Sequence, residues 1–157
     1  MMHTINKEHK KAAYLPAVLR NKCPRCRQGD IFKTNNPYAL KKSAYMKMYD
    51  RCPVCCQPTE IEVGFYYGTG YVSYALCVAL TVAFFIAWYV FIGFNIYDNR
   101  IFWCLGMDII LLVLIQPVLM RLSRTLWLSW FVKYDRDWDK HKAEEPERIN
   151  PEQMGNW

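Results

Sequence analysis

Hydrophobic and polar positions divide the chain into three unlike stretches: residues 1–62 are polar and interrupted, 63–120 almost continuously apolar, and 121–157 mixed. From Val63 to Tyr97, 35 consecutive residues carry no charged side chain. A helix needs only about 20 such residues to cross the hydrocarbon core of a bilayer. The run therefore predicts a first span at about 70–94, preceded by an interfacial lead-in, Gly64-Phe-Tyr-Tyr-Gly-Thr-Gly-Tyr71. Tyr66, Tyr67, Tyr71 and Tyr74 form an aromatic belt at one boundary, with Trp88 and Tyr89 deeper or toward the other. After a tight connection at 95–100, a second span follows at 101–120. It holds one charge, Asp108, and 12 Leu, Ile, Phe or Val residues. Those residues favour insertion by about 4 to 7 kcal/mol, against about 2.5 to 3.5 kcal/mol for a central Asp.

Outside the apolar run the pattern is weaker. Residues 1–20 form a lead-in that ends in a short helix before Asn21. Between Tyr38 and Met48, Leu40, Ala44, Tyr45 and Met48 recur at helical spacing after the Asn35-Asn36-Pro37 turn. Short strands are expected at 31–32 and 59–63. From Arg121 to Lys133, basic residues alternate with Leu126, Trp127, Trp130 and Phe131, the pattern of a helix lying in a membrane interface. The expected fold is a mainly α membrane protein. A cysteine module at 21–62 precedes a transmembrane hairpin at 63–120, and an interfacial helix and polar tail occupy 121–157.

Candidate chemistry sits just upstream of the hairpin. Cys23-Pro-Arg-Cys26 and Cys52-Pro-Val-Cys55 are separated by 25 residues, close to the spacing of a four-cysteine zinc ribbon, with a longer connector. Each Pro stiffens the turn that aims two sulfurs at one metal. A unit of about 40 residues rarely folds alone, whereas a structural zinc contributes roughly 10 to 16 kcal/mol in peptides. Structural Zn2+ is therefore the expected cofactor, with Cys23, Cys26, Cys52 and Cys55 as ligands. Cys56 either replaces Cys55 as ligand or stands where a knuckle ordinarily has a permissive Gly. Two redox CxxC motifs are the competing reading, but no thioredoxin-like βαβ pattern accompanies them. An odd total of seven Cys argues against a disulfide framework. Cys77 and Cys104 fall at different depths of the hairpin, and His3, His9 and His141 all lie in the tails.

Charge sets the orientation. The first 62 residues carry 12 Lys and Arg against 5 Asp and Glu, while the segment from Arg121 onward carries 7 of each. Arg100 is the one basic residue between the spans, so both termini are expected on the cytoplasmic side. The reducing compartment that thiolate ligands require agrees. No apolar stretch of signal-peptide type precedes Lys22. The basic module is expected to meet anionic lipid. Nucleic acid is the minority reading, because no aromatic-basic stacking motif is present.

Two features of the hairpin are left for partners. Asp108, a lone intramembrane carboxylate, is expected to bond a Tyr or Thr of the neighbouring span or a partner protein rather than to act in catalysis. Ala75, Ala79, Ala83 and Ala87 recur every four residues. Such a stripe serves close helix packing, either on the second span or on a partner subunit or second copy.

The residues Cys23-Pro-Arg-Cys26, Gly29 with Ile31-Phe32 behind it, Cys52-Pro-Val-Cys55, and Gly64-Phe-Tyr-Tyr-Gly68 leading into Tyr71-Val-Ser-Tyr-Ala75 resemble a family catalogued as domain of unknown function 983. The last block is similar to its Bacteroidetes version. The resemblance covers about residues 20–135, and Cys56 departs from the family's usual Gly. It implies a small two-span inner-membrane protein with no established activity and no catalytic residues to carry over. Relatives are often encoded beside cytochrome oxidase assembly genes, which implies an assembly or accessory role for a respiratory complex. The reading is thus a non-enzymatic membrane adaptor. A membrane thiol-disulfide protein and a membrane-tethered nucleic-acid-binding regulator are the alternatives.

Overall fold

The computed structural model describes residues 13–39, 41–93, 99–143 and 145, with backbone alone at 41–43. Among the described residues, three α-helices form: α1 at Tyr14–Leu19, α2 at Thr69–Phe91 and α3 at Arg100–Phe131. Two 3-10 turns, Lys41–Met46 and Phe65–Gly68, lie between α1 and α2. Helix α1 stops where Asn21 enters the left-handed region at φ 53°, a conformation that Asn tolerates and that cannot continue a helix.

Helices α2 and α3 form an antiparallel hairpin. The Thr81 hydroxyl meets Asp108 at 3.3 Å and the Cys77 thiol meets Gln116 at 3.8 Å, so position rises along one helix as it falls along the other. Along α2, Ser73, Leu76, Cys77, Leu80, Thr81, Phe84, Phe85 and Trp88 are partly buried, a stripe at helical period turned toward α3. The opposite surface is apolar and open. Tyr71 is 81% exposed, Phe91 85%, Phe102 71% and Val113 68%. Both helices are long and apolar enough to cross a membrane.

The cysteine-bearing segment folds into a head on the far end of α3. Among the described residues its backbone pairs at isolated antiparallel bridges, Lys22 with Asp30, Phe32 with Met48 and Arg51 with Pro58. The expected strands at 31–32 and 59–63 do not form among the described residues. The amide of Tyr49 does donate to Ile31 at 2.9 Å and that of Lys33 to Lys47 at 2.9 Å, but the segments are too short to extend a ladder. After Thr59, which pairs with Asp50, the chain turns as Phe65 N–H donates to Glu62. The helix expected over 38–48 is reduced to the 3-10 turn at Lys41–Met46. Asn36 starts that segment by accepting the Tyr38 N–H at 2.8 Å. Leu40, counted in the expected periodicity, lies outside the described residues, as do Phe94 of the first span, most of the loop at 95–100, His3 and His9, and nearly all of the tail beyond 143.

The main correction concerns 121–133. No separate interfacial helix exists there. Helix α3 continues unbroken for 32 residues, about 48 Å at 1.5 Å per residue, and its last three turns become the floor of the head. Leu128 and Val132 join Cys23, Cys26, Ile31, Phe32, Cys52 and Cys55 in one core, with Met48, Ile61, Phe65 and Trp138 packed around it. Of the basic residues in that interfacial pattern, Arg121 and Arg124 are tied to head carbonyls, whereas Lys133 is exposed. Arg121, 3% exposed, donates to Tyr45 O at 2.7 Å and to Thr34 O and Oγ1 at 2.8 Å each. Its guanidinium also lies over the Phe32 ring at 4.6 Å. A buried guanidinium is tolerated only with its donors satisfied, and here the head satisfies them.

The Gly64-Phe-Tyr-Tyr-Gly68 block is the joint between head and hairpin. Gly64 turns the chain at φ 83°. Phe65 packs against Trp127 and Phe131, and its carbonyl accepts the Trp127 indole N–H at 2.8 Å. The buried Tyr66 hydroxyl donates to Thr59 O. A Cβ at Gly68 would lie 2.2 Å from the Trp127 ring, so only glycine lets the two helices meet there. Both ends of the described chain converge on the head, where Tyr14 Oη and Ser129 Oγ bond at 2.9 Å.

Candidate metal centre

Two short turns with the same local geometry deliver the four sulfurs. In each, an amide one residue past the second Cys bonds back to the first: Arg27 N–H to Cys23 O at 2.7 Å and Cys56 N–H to Cys52 O at 3.0 Å. Those same two residues take left-handed φ values, 57° for Arg27 and 56° for Cys56. The chain then closes on itself, with Cys23 N–H donating to Gly29 O and Cys52 N–H to Gln57 O, both at 2.8 Å. The Gly29 N–H also points at Cys26 Sγ at 3.5 Å. Gly29 has no room for a side chain, since a Cβ would stand 2.4 Å from Cys52 Sγ.

The result is a compact cage. Cys23, Cys26, Cys52 and Cys55 place all their sulfurs within 4.8 Å of one another. Cys23 and Cys55 are 3.7 Å apart, and Cys26 and Cys52 are 3.8 Å apart. A disulfide requires about 2.0 Å. Four thiolates around one ion at about 2.3 Å would be separated by roughly 3.8 Å, the edge of the tetrahedron. The donor set therefore fits a tetrahedral metal ion, and the four residues are 1%, 3%, 2% and 7% exposed. Crowding decides the electrostatics. The Cys23 thiol is pushed far up by crowding against Cys26 and the other sulfurs and by burial, while the same crowding, with Cys23 foremost, holds Cys26 down. Ionising all four together requires a compensating cation at their centre.

Cys56 is exposed and outside the cage. Its backbone conformation explains its position: it occupies the left-handed site that glycine fills at least cost. The fourth sulfur of the cluster is that of Cys55. Position 27, where Arg adopts the same conformation, is the matching site of the first turn, and spacing alone did not mark it.

The hairpin residues singled out from sequence do not converge on the cage. Asp108, 6% exposed, faces α2, where Oδ2 accepts from Thr81 at 3.3 Å while Oδ1 has no partner among the described residues. Cys104 is buried on the same helix, and Cys77 lies across from Gln116 instead. Ala75, Ala79, Ala83 and Ala87 are all exposed, so the stripe is turned away from α3 rather than packed on it. No family model matches the chain, and no curated protein or solved structure does either.

Proposed function

We propose that this chain is a membrane-anchored zinc-ribbon protein, an adaptor or assembly factor for an inner-membrane complex, plausible targets being respiratory ones, and that it belongs with the family it resembles. The observation that carries the reading is the shared core of α3 and the cysteine cage. One helix enters the head at Arg121 and ends among the metal-ligating residues, so whatever the hairpin docks against in the bilayer is coupled without a flexible joint to a metal-stapled knob. Zinc bound by four thiolates has no open coordination position and acts in folding. The deep burial of all four sulfurs favours that role over thiol exchange, which needs an accessible thiolate. The spans are α2 and the first two thirds of α3, their outward apolar side chains meeting lipid. The head and both termini are cytoplasmic, where thiols stay reduced. Ala75, Ala79, Ala83 and Ala87 offer a partner subunit or second copy a close approach.

The test is a native pull-down in mild detergent with metal measured on the same sample. The reading expects one zinc per chain and co-purifying membrane subunits. A monomeric, partner-free protein in native membranes would overturn the adaptor role, and an absent or substoichiometric metal would overturn the ribbon.

A further inference from the structure

We propose that a cleft at the distal end of the head binds a phosphate group, independently of the metal cage and of the hairpin. The cleft, about 490 Å³, opens between the first cysteine turn and the chain that follows α3. Small-molecule sites run roughly 300 to 1,000 Å³. Among the buried polar groups that line it is Arg25, a residue inside the first cysteine turn, which is 5% exposed.

Arg25 is anchored on one side only. Its Nη2 donates to His141 O at 2.8 Å, to Lys142 O at 3.1 Å and to Asp135 Oδ2 at 3.4 Å. Its Nη1 is buried and has no hydrogen-bond partner among the described residues. Leaving a buried charged donor unpaired costs more than an ordinary lost hydrogen bond, so Arg25 keeps donor capacity to spare beside a cleft that it lines. The rim defines that acceptor's charge. Lys133 and Lys142 also line the cleft and are exposed, so with Arg25 three cations stand against one carboxylate, Asp135. His141 is committed to that carboxylate at 2.9 Å. The two-charge excess matches a phosphate dianion better than a carboxylate. Guanidinium donors and flanking ammonium groups are the chemistry that recognises phosphate. Phe131 and Tyr134 form an aromatic wall beside it, leaving space for an organic portion.

The test is calorimetric titration of the full-length, metal-loaded protein in neutral detergent. Three probes are used: inorganic phosphate, ADP, and short-chain dihexanoyl phosphatidylglycerol. Arg25→Gln is expected to weaken binding about tenfold or more. The paired Lys133→Gln and Lys142→Gln change, confined to exposed side chains, is expected to weaken it about fivefold with the metal content unchanged. Sensitivity of phosphate or ADP binding to either metal-retaining variant supports a soluble phosphate ligand. The same sensitivity confined to phosphatidylglycerol supports a lipid headgroup. The site is disproved if no probe binds below about 10 mM, or if both variants bind like the wild type.

Discussion

Helix α3 meets two different surroundings along one uninterrupted backbone. Between Arg100 and Met120 it buries only Cys104, Asp108 and Leu119, and Ile101, Phe102, Trp103, Leu105, Met107, Ile109, Ile110, Val113 and Leu114 point outward. From Arg121 it buries Arg121, Ser123, Thr125 and Leu128 against a head assembled from residues about a hundred positions earlier. The apolar half leaves its hydrophobic surface turned outward. The polar half hides its charges inside protein. A helix that looks amphipathic in sequence at its C-terminal end therefore turns that face into the cysteine-bearing head and serves as its central strut.

The comparison is broken most severely by removing a ligand. Cys26→Ser should abolish metal binding and release 121–132 from protection, while α2 and the first part of α3 stay helical; circular dichroism and metal analysis of the detergent-solubilised protein read both. Next come matched truncations on the two halves. Leu128→Ala, at a side chain 1% exposed, should cost about 2 to 5 kcal/mol in head stability. Ile109→Ala, 60% exposed, should cost less than about 1 kcal/mol, because truncating an exposed side chain removes little packing. Equal effects at the two sites in denaturant titrations would dissolve the distinction. A smaller effect is expected at the joint. Gly68→Ala forces a Cβ into the Trp127 ring and should lower the melting temperature of the head by the equivalent of about 1 to 3 kcal/mol, without loss of metal. Smallest of all, Cys56→Gly should leave the metal stoichiometry intact and shift stability by no more than about 1 kcal/mol. Loss of metal in that variant would return Cys56 to the ligand set.

These contrasts also explain what could be foreseen. The cage was legible because its four ligands come in two local pairs, and a CxxC turn carries its own geometry. Helix α2 was legible because an uncharged run of 35 residues leaves few alternatives, and the first part of α3 because 101–120 holds a single charge, Asp108. Arg121 was misleading because its partners, Thr34 and Tyr45, lie 87 and 76 positions away, and no local pattern announces a carbonyl at that distance. The choice between Cys55 and Cys56 turned on a backbone angle of 56° that spacing does not encode. The Ala stripe had two equally apolar faces to choose between, and only the register fixed by Thr81 with Asp108 turned it outward.

The central claim is that the cysteine cage and the end of α3 fold as one unit. Hydrogen exchange along α3, with the metal present and after its removal by a chelator, tests it most directly. The account predicts that chelation strips protection from 121–132 together with the cysteine turns while 104–119 keep theirs. Retained protection at 121–132 in the metal-free protein, as an autonomous helix in the interface would show, would contradict it.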